Sequence, residues 1–290
     1  MANTIIYAED WAVKLQERLD LPLNWKEICK VEYTNSRVLN NPYLTDPTVQ
    51  SGTRGSAYVH QDVTETNESI TINTFKILPM FIDRADLAQS GYARQMEMAE
   101  MQGTLLNEAI ETAMLGSHAS FTDFDNASIG GGAGNITVSV SNIDDIIRGV
   151  KREINEANGQ ALAARNGIFI VWRAADFEIL EAFVQANGFS TADMALKNGT
   201  VAGMRYMGVD HYVSNSHTAG HVYAGVKKVF HLGIVADTNG QVVVTQDPTL
   251  ATGSAATIGQ TSGVGVISRV DYAFKAWTKT AGLLFDVLVA

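Results

Sequence analysis

"ARQMEMAEMQGTLLNEAI", Ala93–Ile110, contains one glycine, three methionines and no proline. It lies inside a proline-free run from about Asp83 to Gly116 that keeps a helical period. The run predicts a helix of about 30 residues, ~45 Å long at 1.5 Å per residue, against a mean of about 11–12 residues. That length approaches the ~40–50 Å diameter expected of the whole folded chain. Asp83 or Asp86 stands near its start, where a carboxylate suits the helix dipole. Leu87, Gly91, Met98, Met101, Leu105 and Ala109 share one stripe of such a helix. Tyr92, Met96, Ala99, Gly103, Leu106, Ile110 and Met114 form a second, about 140° away. Glu97, Glu100, Thr104, Glu108 and Glu111 fill the narrow remainder. Two apolar stripes and one acidic face predict packing on two sides. The central helix of an ordinary bundle is the plainer reading of this segment alone.

The 290 residues are 18% charged and 46% hydrophobic, ordinary for a globular protein and enough for one large or two ordinary cores. The formal net charge is −10 and the pI about 5.0. A protein that grips nucleic acid needs a basic face, because phosphate neutralisation supplies most of the affinity. Bulk DNA binding is therefore disfavoured. Cys29 is the only cysteine, which excludes an intrachain disulfide and a thiolate metal cluster and agrees with intracellular synthesis. The first twenty residues lack a basic leader followed by an apolar core, so no signal peptide is expected. No apolar run approaches the ~20 residues of a membrane span, and no membrane partner is expected. "GLLFDVLVA", 282–290, carries Asp286 and reads as a buried strand.

Residues 8–20 predict a short amphipathic helix with Trp11, Leu15 and Leu19 on one stripe. From Asn35 to Thr53 the chain is rich in Asn, Pro, Thr and Gly and reads as an extended arm or loop. "SAYVHQDVTETNESITINTFKI", 56–77, follows and predicts a hairpin turning at the polar "TETNES". A lone two-stranded hairpin is marginal in water, so this one needs the body of the protein or a neighbour. Beyond the long helix and a glycine-rich connection at 129–135 the pattern becomes α/β. "SNIDDIIRGVKREINEAN" (141–158) predicts a capped amphipathic helix, "GIFIVW" (167–172) a buried strand and "AADFEILEAFVQA" (174–186) another helix. "MGVDHYVSN", "HVYAGV", "KVFHLGIV", "QVVVTQD", "VGVISRVDYAFKAW" and "AGLLFDVLVA" read as strands.

Signs of chemistry are few. "GGGAG" lacks the Lys–Ser/Thr pair of a phosphate loop, and Asn135 stands where GxGxxG needs its third glycine, so a hinge is expected. His217 and His221 have the i, i+4 spacing of zinc helices, with His211 nearby, but "HTAGH" sits in a glycine turn without the HExxH glutamate. There is no GxSxG nucleophile elbow. Asp144–Asp145 reads as helix-start charge, and Asn135-Ile-Thr as a chance N-x-[ST] match. The expectation is no catalytic, cofactor-binding or metal site, hence no cofactor and no enzyme; an α+β enzyme with a site of scattered residues is the alternative from another class.

The element order is an N-terminal arm, a protruding hairpin, a very long helix, an α/β region and closing strands. That order resembles the tailed-bacteriophage major capsid protein, whose coat fold is shared with herpesvirus capsids and encapsulins. In "NESITINTFKILPMFIDRADLAQSGYARQMEMAEMQGTLLNEAI", 67–110, a returning strand runs through a P-x-F-I-x-R junction into the helix. "GIFIVWRAADFEILEAF" is similar to the strand-then-helix of the axial domain, and "GVISRVDYAFKAWTKTAGLLF" to the closing strands of the peripheral domain. The resemblance spans nearly the whole chain through element order and loose motifs. It implies an α+β chain with an arm at 1–44, an extension loop at 45–80, a peripheral domain with spine helix at 81–138 and 266–290, and an axial domain at 139–265. It further implies a homo-oligomer of hexamers and pentamers in an icosahedral virion head enclosing double-stranded DNA without sequence-specific binding, assembled in the host bacterial cytoplasm. Portal, decoration and separate scaffolding proteins are the other implied partners, and an encapsulin-type nanocompartment shell is the alternative. With the spine helix along an inner wall, its glutamates would face DNA. Some members weld subunits through an extension-loop lysine; none lies between Lys30 and Lys76, so a noncovalent shell is expected.

Overall fold

The computed structural model describes residues 21–55, 57, 59–83, 94–124, 126–129, 134–186, 204–236, 241–245 and 263–290. The expected helix at 8–20, Asp86 and Gly130, Gly131 and Gly132 lie outside them. A short helix α1 (Trp25–Ile28) leads into β1 (Lys30–Thr34), β2 (Val38–Leu44), β3 (Glu65–Thr71) and β4 (Thr74–Asp83). The long helix α2 is described over Arg94–Leu115, 22 residues. Asp83 ends β4 and does not open the helix.

After β5 (Thr122–Asp123) come α3 (Ile143–Glu156), α4 (Gln160–Asn166), β6 (Ile168–Trp172) and α5 (Ala174–Ala186). Strands β7 (Met204–Tyr206), β8 (Val209–Val213), β9 (His221–Val226), β10 (Phe230–Val235), β11 (Gln241–Thr245), β12 (Gly263–Ala276) and β13 (Leu284–Leu288) complete the chain. Helix α3 forms where the period demands it: Ile143, Ile146, Ile147, Val150 and Ile154 fall on one stripe and all are buried. Its expected side-chain cap is absent. Asn142 turns away to accept the Ser139 amide at 2.8 Å and donate to the Thr137 carbonyl at 2.9 Å. Asp144 and Asp145 supply the negative charge of the first turn instead, and Arg148 pairs with Asp144 at 2.9 Å.

Two larger sheets divide the described chain. The first has β12 at its centre: all ten residues of β4 pair along one edge, while β10 and β11 follow one another along the other, and β1 adds in parallel to β10. The second runs β5-β13-β9-β6-β8-β7, with β6 and β8 parallel as expected of an α/β unit. This pairing cuts across the division drawn from sequence. Strands β10 and β11 join the sheet of β4 and β12, and β13 joins the α/β sheet beside β9. At Gly225, in mid-β9, a Cβ would stand 2.4 Å from the Leu283 carbonyl oxygen, so only glycine lets β13 approach here.

The hairpin also differs from its reading. Strand β2 covers residues expected to be loop, and β3 includes most of the "TETNES" expected to be the turn; the two pair from Val38↔Thr71 to Leu44↔Glu65. Strand β3 is mostly polar, and β2 carries two asparagines and a proline between its apolar residues, so neither shows the unbroken apolar alternation by which strands are recognised. Pro42 is tolerated because a two-stranded ribbon leaves its outer edges unladdered. The base of the hairpin docks on the rest of the chain. Ile70 and Ile72 are buried with Val235 and Trp277, Lys275 Nζ donates to the Ser69 carbonyl at 2.8 Å, and the Thr278 amide donates to Glu68 at 3.1 Å.

Candidate assembly surfaces

Helix α2 packs over the β4–β12 ribbon through a buried amide. Gln102 is fully buried, donates from Nε2 to the Leu78 carbonyl at 3.1 Å and accepts the Ser268 hydroxyl at 2.6 Å. One side of the helix is thereby closed, with Leu106, Ile110, Met114 and Leu115 buried. Met101, Leu105 and Ala109, the other expected stripe, are only half-buried.

The acidic face does not survive as a face. Glu108 is 6% exposed and Glu111 fully buried. Glu108 accepts the Leu21 amide at 3.0 Å; Glu111 accepts the Trp25 amide at 2.9 Å and the Asn24 side-chain amide at 3.1 Å. Burial, opposed by those hydrogen bonds, pushes the Glu111 carboxyl up to about 7. These two glutamates anchor residues 21–25, so the expectation that they face DNA is wrong; Glu100 is exposed, and the Glu97 side chain lies outside the described set.

Beyond its docked base the hairpin loses contact with a core. Thr45 and Thr64 continue the ladder (amide to carbonyl, 2.9 Å), and Gln61 makes two 2.8 Å bonds to the Thr48 backbone. Past these, Val49 is 96% and Val59 75% exposed. A second open surface is the face of the β4–β12 ribbon turned away from α2. Phe75, Ile77 and Pro79 line it on β4, opposite Asp271, Arg269 and Ile267. Phe75 is 54% and Ile77 50% exposed, and the Arg269 guanidinium lies 4.7 Å over the Phe75 ring. Exposed apolar side chains grouped in this way mark interaction surfaces.

The histidines are structural. His211 is buried, accepts the Trp172 indole N–H at Nδ1 (2.9 Å), and lies 3.3 Å through Nε2 from the Tyr206 carbonyl; burial holds it near 4. His217 lies 3.0 Å from the Val171 carbonyl and is lowered to about 4 for the same reason. His221 opens β9 rather than standing in the turn, and pairs with Asp286 at 2.7 Å. Among the described residues no three His, Cys, Asp or Glu side chains are grouped to hold a metal. Cys29 is buried 3.4 Å from the Met114 sulfur, and burial raises its thiol far above the ordinary range. A cleft of about 570 Å³ opens between the hairpin base, β1 and α4. Two of its lysines are matched by carboxylates, Lys30 by Glu32 at 2.7 Å and Lys279 by Asp46 at 2.9 Å.

No protein-family model matches the chain, and no curated protein matches it in sequence. Solved structures do. The structure from Mycobacterium phage Che8 aligns with TM-score 0.68 at 14% identity, over 98% of both chains. The capsid of an empty GTA particle aligns at 0.67 and 13%, over 98% of this chain and 95% of the other. The capsid of cyanophage P-SCSP1u gives 0.64 and 12%, over 98% and 93%. The likeness runs over nearly the whole length of each, and this chain has the fold of phage capsid structures.

Proposed function

We propose that the chain is the major subunit of an icosahedral bacteriophage head, a structural protein without catalytic activity. One observation carries the reading: structures of capsids align over 98% of the chain, at TM-scores of 0.64 and 0.67. The exposed hairpin and the uncovered ribbon face support it physically. An isolated ribbon tip gains nothing by protruding, whereas a tip carrying Val49 and Val59 laid over a neighbour's Phe75 and Ile77 buries apolar area on both subunits. Repeated around closed rings, that contact builds hexamers and pentamers.

Within this reading the extension loop, drawn from sequence at 45–80, takes in the β2–β3 ribbon and spans about 38–72. The peripheral domain gathers α2 with β1, β4, β10, β11 and β12; the axial domain is the six-stranded sheet with α3, α4 and α5. Packaged double-stranded DNA, portal, scaffolding and decoration proteins, and assembly in the bacterial cytoplasm before residence in the virion, follow from the same proposal. Negative-stain electron microscopy of the purified full chain tests it, with closed shells as the expected result. Discrete monomers or small oligomers under all assembly conditions would overturn it. Shells that hold a protein cargo and no nuclease-protected DNA would establish the nanocompartment alternative.

A further inference from the structure

The cleft between the hairpin base, β1 and α4 carries a surplus of positive charge on a chain whose net charge is −10. Its lining sets Lys30, Arg165, Lys228 and Lys279 against Glu32 and Glu68. Lys30 takes up Glu32 at 2.7 Å, Asp46 takes up Lys279 at 2.9 Å, and Glu68 accepts the Thr278 amide at 3.1 Å. Arg165 and Lys228, both exposed, have no carboxylate at ion-pair distance among the described residues.

These two cations stand on segments that are joined to each other. Arg165 lies in the last turn of α4 and Lys228 in the turn between β9 and β10. Asn166 Nδ2 donates to the Lys227 carbonyl at 3.1 Å, and the Lys227 amide to the Gly167 carbonyl at 3.0 Å. Lys228 is held in place: its Nζ donates to the Lys26 and Cys29 carbonyls at 2.8 and 2.9 Å, which leaves one of its N–H groups open. A third polar group of the lining is unmet. His231 is 8% exposed, and its Nδ1 has no hydrogen-bond partner among the described residues, the Glu32 carboxylate standing off at 3.5 Å.

Helix α5 carries the complement. Glu178 and Glu181 are three residues apart and share one side of it, Glu178 exposed and Glu181 half-buried. Asp176 pairs with Arg173 at 2.9 Å on the same helix, but Glu178 and Glu181 have no partner among the described residues. No described residue of α5 lines the cleft, so the two surfaces of one chain do not satisfy each other. Across two copies they can. The cleft volume, about 570 Å³, falls within the ~300–1,000 Å³ of pockets that receive whole ligands, and exceeds what a lone inorganic anion needs.

We propose that this cleft is a docking site for a second copy of the chain, which inserts the Glu178–Glu181 side of α5 opposite Arg165 and Lys228. Complementary charge of this kind fixes register and suppresses wrong partners more than it adds affinity, so reversing one side is the sensitive test. The inference deepens the capsid reading by naming a contact between copies. It rests on that reading only in that copies meet, and not on their closing into a shell.

Sedimentation of the full chain over a concentration series, with Arg165→Glu, Glu178→Arg and the two together, tests the contact. Each single reversal should weaken association at least about tenfold, and the double variant should restore most of it. Arg165 and Glu178 are exposed, so circular dichroism should show the fold unchanged in each. A second measurement needs no variant. Unlabelled and nitrogen-15-labelled chains are mixed, allowed to associate, and treated with a carbodiimide, which joins a lysine amine to a touching carboxylate with loss of water. Peptides linking Lys228, Lys30 or Lys279 of one isotope to Glu178 or Glu181 of the other are expected. Association of Arg165→Glu equal to wild type, a double variant no better than the single ones, or no mixed-isotope link of this kind would overturn the docking site. Normal shells from Arg165→Glu would do so while leaving the capsid reading intact. Small open oligomers that carry the link would sustain the docking site while the closed shell failed.

Discussion

Glu111 accepts the backbone N–H of Trp25 at 2.9 Å across 86 residues of sequence, tying the first turn of α1 to the C-terminal part of the long helix. Glu111→Ala strands that amide and the Asn24 side chain in a dry site. A cost of about 1–3 kcal/mol in denaturant unfolding is expected for such an orphaned donor.

The same carboxyl gives a pH signature. Its folded value, about 7, lies above the ordinary 4.5, so its stabilising contribution is full below 4.5 and is lost as pH rises through 7. His211 and His217 act in the opposite sense: lowered to about 4 from 6.5, they contribute fully above 6.5 and lose that contribution as pH falls toward 4. Two histidines outweigh one glutamate, so net stability should fall between pH 6.5 and 4.5. Glu111→Gln removes the opposing member and should steepen that fall. A pH–stability curve unchanged by the substitution would contradict the burial argument.

Gln102 bridges β4 and β12 from the helix, and its loss should be felt in both. Gln102→Leu leaves the Ser268 hydroxyl and the Leu78 carbonyl without this partner, an expected cost of about 1–3 kcal/mol. In a double-mutant cycle with Ser268→Ala the two costs should not add, because they remove one shared bond. Strict additivity would place the stabilising contact elsewhere.

The hairpin tip is expected to serve assembly and not folding. Replacing residues 47–62 by a short glycine turn retains the Thr45–Thr64 pair and the docked strand β3. The thermal midpoint should stay near the wild-type value, since exposed substitutions change stability by about 0.5 kcal/mol or less. Closed particles should disappear from micrographs. Normal shells from this variant would show that the tip makes no essential contact.

Lys76 lies on β4, paired across from Val270, and no lysine lies between Lys30 and Lys76 to arm the tip. Particles boiled in denaturing detergent should run as a single band near 31.3 kDa. Noncovalent subunit contacts of capsid size, often above ~2,000 Å², suffice to hold a shell. A ladder of covalent multimers would show that another residue forms a cross-link.

By itself the sequence determined what depends on near neighbours. The period of 143–156 and 174–186, and the apolar run at 168–172, produced helices and a strand where local pattern placed them, and the order of elements marked the fold. Strand β2 escaped because Asn40, Asn41 and Pro42 interrupt its apolar residues, and its strand partner is a mostly polar strand more than twenty residues away. Tertiary structure alone decided the fate of Glu108 and Glu111, since their hydrogen-bond donors come from residues 21–25, 86 or 87 positions away. It also decided that β13 lies beside β9 rather than with β12, a choice made by Gly225 opening room for the Leu283 carbonyl. Local periodicity records which side of an element is apolar; which partner satisfies a buried charge, or fits a gap the size of a methyl group, is set only when distant segments meet.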